Sequence, residues 1–334
     1  MGGIYRIINI LIVWNMRLFS KIHSYLHLQK NIVESVKVIV ESEIKASDDR
    51  SYYKHIFNEL TQKSLHDTAK GIANDKYGEN MIVVSLTTHG KRIYDVHVAI
   101  ESIFQGSIKP NKIVLWLSEE YKKTPLPITL QRQMARGLEV EYCKDIRSYT
   151  KLVPALRCYP EASIVTIDDD IIYPYDMLEN LLNAHLESPN CICANWIHEI
   201  PADLAENYVS LLEWPIIRDV DTEGGRYFFE GFGGVLYPSH SFDKEVLNEG
   251  VFLDVCKYAD DVWFNAMSLK AGTKVRYAWP RLGLIPLAVN NDVQALALKN
   301  VNSKGMVLND IQIKTVFEKY GLFEKLRSSF IQNK

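Results

Sequence analysis

The 334-residue chain is predicted to form an α/β fold around one mostly parallel sheet that helices cover on both faces. Strand-like and helix-like segments alternate from Met81 onward, which is the order that builds a parallel sheet. The run Ile164–Ile167 is apolar and β-branched, as expected of a strand buried on both faces. A hydrophobic content of 47% and a net charge of -3 are ordinary for a globular protein and point to no nucleic-acid partner.

The first 30 residues are predicted to form an amphipathic helix. They carry four Lys or Arg residues and no acidic residue, and Arg6, Asn9 and Asn15 interrupt an apolar run that is too short to span a membrane. This composition is typical of a helix lying on an anionic membrane surface, and also of a helix docked on the catalytic domain or on a second subunit. The five cysteines are an odd number without zinc-type spacing and are expected to be reduced, so we expect a cytoplasmic protein, peripheral to the inner face of the membrane through this helix.

Residues 31–80 have a helical, mixed-charge pattern and are predicted to form a spacer. A catalytic domain is predicted to follow at residues 81–325. Its first half is predicted to contain the strands Met81–Thr88, Lys112–Ser118, Leu138–Cys143 and Ser163–Ile167, and the helices Val96–Gly106, Thr129–Arg136 and Thr150–Pro160.

Three adjacent carboxylates, Asp168, Asp169 and Asp170, follow the buried strand directly. Their mutual repulsion raises their pKa values and costs stability, so a cation should offset it. In extended backbone Asp168 and Asp170 would face one side and Asp169 the other, which suits a hard ion such as Mg²⁺. The alternative is a turn that leads into a helix near Asp176.

Ligands of parallel sheets bind at the carboxyl ends of the strands, where Thr87 and Thr88 also lie. The neighbouring segment Ser85–Ile93 contains Gly90-Lys91 but is not a phosphate loop. Ser85 replaces the first glycine of that motif, and Arg92 replaces the hydroxyl residue that would meet the metal. The sequence therefore excludes a P-loop ATPase.

Two later segments have ligand-binding character. Tyr227–Pro238 mixes aromatic residues with glycines, which predicts either close approach to a ligand or a kinked core strand. Asp260 and Asp261 precede a helix that is predicted to begin near Val262, where they would be a catalytic pair or helix caps.

The segments Val84–Ser118 and Tyr149–Pro174 resemble bacterial glycosyltransferases of the A fold, which include enzymes of capsule and lipopolysaccharide synthesis. The resemblance runs from Met81 to about Phe323. It implies a single A-type sheet and a site that binds a nucleoside-diphosphate sugar with Mn²⁺ or Mg²⁺. The implied metal ligands are Asp170 and Asp168, the latter also near ribose or sugar hydroxyls, and the implied nucleotide contacts are Thr87, Thr88, Arg92, Lys151 and Asp169. For Lys151 a solvated helix lysine is the alternative.

The resemblance further implies inverting transfer to a glycan or lipid-linked acceptor, with Asp261 as general base and Asp260 as its partner. Relatives often add a further metal ligand, frequently histidine, in the C-terminal region, but no histidine follows His240 here, which leaves Asn290, Asn291 and Asp292, or water, in that role. Two other functions stay open. One is a nucleotidyltransferase that makes nucleotide sugars, although Thr87-Thr88-His89 fits its glycine-rich signature poorly. The other is a non-catalytic glycan-binding or scaffold protein of the same fold.

Overall fold

The computed structural model describes residues 51–78, 80–201, 203–219, 223–279, 287–288 and 307–332. The chain divides into two compact units, 1–56 and 57–334, and of the first unit only 51–56 are described. The predicted helix at 1–30, the spacer up to residue 50 and the candidates at 290–292 lie outside the described residues. Within the described ranges, no helix has both the length and the apolar character needed to cross a membrane.

Thirteen strands are assigned within the described residues. They are β1 (Ile82–Thr87), β2 (Lys112–Ser118), β3 (Leu138–Cys143), β4 (Ser163–Thr166), β5 (Ile171–Ile172), β6 (Ile192–Ala194), β7 (Ile197–Glu199), β8 (Ile216–Ile217), β9 (Glu223–Gly224), β10 (Tyr227–Phe229), β11 (Val235–Tyr237), β12 (Val275–Tyr277) and β13 (Leu287–Ala288).

The helices surround these strands. They are α1 (51–66), α2 (Val96–Phe104), α3 (Ile128–Ala135), α4 (Val153–Cys158), α5 (Met177–Glu187), α6 (Glu249–Val255), α7 (Asp260–Ala271), α8 (Val307–Lys319) and α9 (Leu322–Gln332). Short 3₁₀ helices lie at Gly90–Tyr94, Glu119–Lys123, Arg147–Lys151, Leu211–Glu213, Gly231–Gly233 and Lys244–Leu247.

The central sheet has eight strands in the order β3-β2-β1-β4-β11-β6-β12-β9. Strands β3, β2, β1 and β4 are mutually parallel, as are β6 and β12, whereas β11 runs antiparallel to both of its neighbours. The predicted mostly parallel α/β sheet is confirmed. It is accompanied by two small sheets, β10-β7-β8 and β13-β5, which the sequence did not indicate.

The core fills both faces of the central sheet. Side chains alternate along each strand, so Val83 of β1 packs with α7 while its neighbour Val84 packs toward α2 and α5. Trp263 and Phe264 of α7 are fully buried on the first face. In β4, Ile164 and Val165 divide between the two faces in the same way, which confirms the prediction of a strand buried on both sides.

The backbone leaves strand geometry before it reaches the acidic residues. Strand β4 ends at Thr166, and Asp169 and Asp170 lie in a turn. The alternation expected of an extended strand is therefore wrong for these three residues. Because Ser85 of β1 is in register with Thr166, the loops that follow β1 and β4 lie side by side.

A buried ion pair ties α2 to the segment after α3. Glu101 of α2 is fully buried and accepts two hydrogen bonds from the Arg136 guanidinium, at 2.9 and 3.0 Å. Arg136 also donates through Nε to the carbonyl of Ala69, at 2.7 Å. One guanidinium thus holds together α2, the end of α3 and the chain that follows α1.

We expect Glu101→Gln to lower the free energy of unfolding by about 3 kcal/mol, because it leaves the buried guanidinium without its carboxylate. Urea denaturation at neutral pH is the measurement. Glu119→Gln, in an exposed pair with Lys122, is the matched control and should change stability little. Equal effects of the two substitutions would contradict a structural role for the Glu101 pair.

Candidate active site

The loop after β1 presents two hydroxyls and a guanidinium at the sheet edge. The Thr87 hydroxyl donates to the carbonyl of Trp116 at 2.9 Å. The Thr88 hydroxyl instead donates to Oδ2 of Asp169 at 2.6 Å. Arg92 follows on the 3₁₀ helix Gly90–Tyr94, which turns its side chain back toward the acidic residues.

Arg92 bridges the two carboxylates of the turn after β4. Its Nη1 lies 2.8 Å from Asp169 Oδ1 and its Nη2 lies 3.2 Å from Asp170 Oδ2. Burial raises the pKa of Asp169 to about 6, even though Arg92 and Thr88 act in the opposite direction. Burial, and next the Asp168 charge, raise the pKa of Asp170. Ionised carboxylates are thus held here at a cost that Arg92 offsets only in part.

Lys151 is buried at the centre of the site. Its Nζ donates to Oδ1 of Asp168 at 2.9 Å and lies 3.2 Å from Oδ2 of Asp260, a contact that is an ion pair but not an aligned hydrogen bond. Burial alone would lower the pKa of Lys151, but Asp168, Asp260 and Asp261 together raise it well above its ordinary value. Lys151 is therefore a charged, enclosed ammonium, and the interpretation as a solvated lysine is wrong.

The acidic pair begins helix α7 without capping it. Ala259 occupies the N-cap position, and Asp260 and Asp261 form the first turn, where the helix dipole favours negative charge. Oδ2 of Asp261 accepts a hydrogen bond at 3.1 Å from the backbone N–H of Gly231, which belongs to another segment. Among the described residues, its buried Oδ1 has no hydrogen-bond partner. Burial, and next the Asp260 charge, raise the pKa of Asp261 to about 8.

The backbone at Gly231 passes so close to two charged side chains that little room is left for a Cβ atom. A Cβ atom at this position would lie 2.9 Å from both Lys151 Nζ and Asp261 Oδ1. The Tyr173 hydroxyl also contacts this segment. It donates a hydrogen bond to the carbonyl of Phe232 at 3.1 Å and accepts one from the N–H of Asp168 at 2.8 Å. The glycine-rich stretch therefore connects the acids after β4 to the acids of α7.

These groups line one cavity of about 1350 Å³. Its acidic lining residues are Asp145, Asp168, Asp169, Asp170, Glu230, Asp260 and Asp261, and its Lys and Arg residues are Lys91, Arg92, Arg147 and Lys151. Among the described lining residues, acidic side chains thus outnumber basic ones, and two of the bases, Arg92 and Lys151, are already paired with acids. An additional cation would favour a ligand that carries phosphate charge here.

The donor set fits a hard divalent ion that a diphosphate would share. Within the described chain, no cluster of three or more His, Cys, Asp or Glu side chains could hold a metal by itself. Mg²⁺ and ions like it commonly take one or two carboxylates and complete their shell with phosphate oxygens and water. Asp168 and Asp170 line the same cavity and can supply the one or two carboxylates of such a shell.

The structure brings all of the candidate residues that it describes to this cavity. Thr87 lines it, although its hydroxyl is used by a backbone carbonyl. Sequence reasoning missed Tyr173. Glu230 and Gly231 lie inside the stretch Tyr227–Pro238 that the sequence marked for close approach to a ligand, although no role was assigned to the Glu230 side chain or to the Gly231 N–H. Nothing in the pattern distinguishes Tyr173 from a core tyrosine.

Comparison with known proteins finds similarity only among solved structures. No protein-family model and no curated protein matches the chain. A mannosyltransferase from Pyrobaculum calidifontis, in complex with GDP-Man and Mn²⁺, is 13% identical, with 86% of this chain and 85% of that chain covered and a TM-score of 0.39. A CMP:2-keto-3-deoxy-manno-octonic acid synthetase complexed with CTP is 14% identical, with 68% and 99% covered and a TM-score of 0.38.

A UDP-glucose pyrophosphorylase from Acinetobacter baumannii is 9% identical, with 76% of this chain and 100% of that chain covered and a TM-score of 0.37. Likeness at this level is weak.

We expect Lys151→Met to lower the free energy of unfolding by about 3–5 kcal/mol at pH 8, because the buried Asp260 and the partly exposed Asp168 lose their cation. Lys151 also acts to lower the pKa of Asp261, so its loss raises that pKa further and the folded variant binds more protons than the parent as pH falls. The loss of stability should therefore shrink toward pH 5. Urea denaturation at pH 5, 6.5 and 8 measures it.

The exposed Lys144, which pairs with Glu249 at the surface, supplies the control Lys144→Met. This variant should lose little stability at any of the three pH values. A deficit in Lys151→Met that is the same at pH 5 and pH 8 would show that packing, and not charge, explains the burial of Lys151.

Proposed function

We propose that the protein is a metal-dependent glycosyltransferase that moves a sugar from a nucleoside diphosphate to an acceptor hydroxyl with inversion. One observation carries the proposal: Lys151 joins Asp168, at the end of a parallel strand, to Asp260, at the head of α7, inside a single cavity. Groups suited to a diphosphate and a candidate base for a hydroxyl thus lie at one centre. The acceptor that fits the sequence resemblance is a glycan or lipid-linked saccharide of a bacterial surface polysaccharide.

The donor end of the reaction uses the loops after β1 and β4. Asp170 and Asp168 would hold Mn²⁺ or Mg²⁺, which, when bound, supplies positive charge for the developing diphosphate leaving group. Arg92 is oriented by Asp169 and Asp170, so its guanidinium can turn to phosphate oxygens when Asp170 engages the ion. The Thr88 hydroxyl keeps Asp169 in place. These residues stabilise charge on the phosphate that leaves.

The acceptor end uses α7. As the acceptor oxygen forms a bond to the anomeric carbon, its proton passes to Asp261 Oδ1, the buried oxygen that lacks a partner among the described residues. The bond from the anomeric carbon to the phosphate oxygen breaks, and its electron pair leaves with the diphosphate. A carboxylate whose pKa is raised to about 8 is a stronger base than an ordinary aspartate, provided that it is ionised. The ammonium of Lys151 compensates the negative charge of the neighbouring Asp260.

A thermal-shift screen of UDP, GDP, CDP and their sugars, with and without Mn²⁺ or Mg²⁺, tests the donor part. A ligand present at a hundredfold excess over its Kd should stabilise the protein by about 2.7 kcal/mol. Release of nucleoside diphosphate, followed by chromatography, then identifies sugar transfer. Formation of a nucleotide sugar from a sugar phosphate and a nucleoside triphosphate would instead identify nucleotidyl transfer, and binding without turnover would indicate a glycan-binding role.

Asp170→Asn should abolish the metal-dependent part of nucleotide-sugar binding, and turnover with it. Because burial and Asp168 raise the pKa of Asp170, its ionised form is unfavourable in the folded protein, so the metal-free variant should be no less stable than the parent at pH 7–8. Titration of the nucleotide sugar with and without Mn²⁺, beside urea denaturation, makes the measurement. The exposed Asp203 gives the control Asp203→Asn. Full activity of Asp170→Asn at limiting metal would contradict the assignment.

Asp261→Asn should lower the transfer rate by about 10²–10⁴-fold, because an amide keeps the shape but cannot accept the proton. Affinity for the nucleotide sugar should stay nearly unchanged, because Lys151 forms its ion pairs with Asp168 and Asp260 and keeps both of them in the Asp261→Asn variant. In the parent, the rate should rise with pH toward about 8 as Asp261 ionises, and the variant should lack this rise. The transfer rate and donor affinity from pH 6 to pH 9 provide the test.

Asp254→Asn, at an exposed position of α6, is the matched control for this series. A near-normal rate for Asp261→Asn would remove the base assignment and favour a retaining mechanism.

A further inference from the structure

Another carboxylate of the cavity, that of Glu230, lies against the buried side chain of His198. Glu230 directly precedes Gly231 and lines the cavity with its side chain about a quarter exposed. Its Oε1 lies 3.0 Å from Nε2 of His198, which is buried on β7. Its backbone N–H donates to the carbonyl of Trp196 at 3.0 Å. Neither Glu230 nor His198 has a part in the chemistry assigned above.

The surroundings of His198 determine where its protons sit. Its Nδ1 lies 3.1 Å from the Trp214 carbonyl, which can only accept, so Nδ1 carries a proton. Its Nε2 lies between the Trp196 Nε1–H, at 3.2 Å, and the Glu230 carboxylate. A neutral ring would accept from Trp196, whereas an imidazolium donates to Glu230. Although burial acts to lower it, the hydrogen bond and charge of Glu230 raise the pKa of His198, which favours the ion pair.

This arrangement leaves one oxygen of Glu230 available. Oε1 faces His198, and within the described residues Oε2 has no donor. Aromatic rings lie next to the carboxylate: Phe232 lines the cavity, and its ring centroid is 5.2 Å from that of Trp196. A fixed carboxylate oxygen beside aromatic faces has the chemistry of a saccharide subsite, where hydroxyls donate and ring C–H groups pack on the aromatic side chains.

The position of Glu230 points to contact with the acceptor and not with the donor. The next residue, Gly231, donates its N–H to Asp261, so one peptide separates Glu230 from the contact that holds the candidate base. The residues suited to a diphosphate, Arg92 and Asp170, belong to the loops after β1 and β4. A saccharide hydroxyl bound to Glu230 therefore lies on the side where the nucleophile must be.

On these grounds, and resting on the proposed function, we propose that Glu230 binds hydroxyls of the acceptor saccharide and that His198 is its positioning residue. The acceptor sugar at this subsite is uncharged. Its neighbours on the cavity wall include Asp260 and Asp261, and acidic side chains outnumber basic ones among the lining residues that the structure describes. A uronic or other acidic sugar would place a carboxylate against these charges, whereas a neutral hexose presents only donors and acceptors.

The test uses matched neutral and acidic probes. Octyl glycosides of glucose, galactose and mannose, each beside its uronic acid, are titrated below their micelle concentrations into the full-length protein with UDP or GDP and Mn²⁺. Saturation-transfer NMR and calorimetry report binding. At least one neutral glycoside should bind about tenfold or more tightly than its uronic acid. Glu230→Gln should weaken the binding of that neutral glycoside by about tenfold, because a charge-assisted hydrogen bond is lost. It should also reduce the difference in affinity between the neutral glycoside and its uronic acid.

The chain offers a closely matched control. Glu161 and His240 form the same type of pair, 3.4 Å apart, but both side chains are about three-quarters exposed at the surface. Glu161→Gln should leave glycoside binding unchanged. The proposal is overturned if no neutral glycoside binds the parent, if the uronic acids bind as tightly, or if Glu230→Gln binds like the parent.

A separate readout tests the role of His198. In ¹H–¹³C spectra the His198 ring signal, identified by its absence in His198→Gln, should titrate at lower pH in Glu230→Gln than in the parent, because the carboxylate no longer stabilises the imidazolium. The flanking groups Trp196 and Trp214 do not ionise in this range. An unchanged titration would remove the positioning role.

Nucleotide-sugar affinity and release of nucleoside diphosphate are measured on the same samples. If both are normal while the glycoside result is negative, the acceptor inference fails and the proposed function stands. If the parent neither binds nor turns over any nucleotide sugar, the proposed function itself has failed.

Discussion

The enclosed ammonium of Lys151 is the interaction on which the site depends. Asp168 follows a central strand and Asp260 begins a helix packed on the sheet, and bringing a partly exposed and a buried carboxylate together without a cation would be unfavourable. Lys151 meets both, and its carbonyl is anchored by the Ser85 hydroxyl of β1 at 2.5 Å. The sheet therefore fixes the cation, and the cation fixes the distance between the two acidic elements.

This electrostatic balance also explains how a ligand would be received. Without a ligand, Arg92 and Lys151 neutralise part of the acidic cluster, so a diphosphate does not meet these two cations in a free state. An ion brought in with the diphosphate would engage Asp168 and Asp170 and release some of the positive charge that now compensates them. Binding and charge rearrangement are then one event, which favours a ligand that carries its own counter-ion over bare phosphate.

The sequence predicted the fold where a local pattern decides it. Strands β1 to β4 and their helices follow from alternation and apolar periodicity, whereas the antiparallel insertion of β11 could not be foreseen from three residues, Val235–Tyr237, whose partners are set by tertiary packing. The acidic cluster was predicted by composition, but its orientation was not, because β4 ends at Thr166. Burial of Lys151 had no sequence signal, since an enclosed lysine depends on acids far away in the chain.

In the proposed mechanism, the glycine-rich segment lies between the acceptor subsite and the base. The N–H of Gly231 donates to Asp261 and thereby acts to lower its pKa, against burial and the neighbouring Asp260 charge. Glu230 is joined to Gly231 by one peptide bond, and its side chain faces His198. If the acceptor binds Glu230 as proposed, it would contact the residue next to the N–H that favours the ionised form of Asp261. The proposed subsite and the proposed base would then share one short segment of backbone.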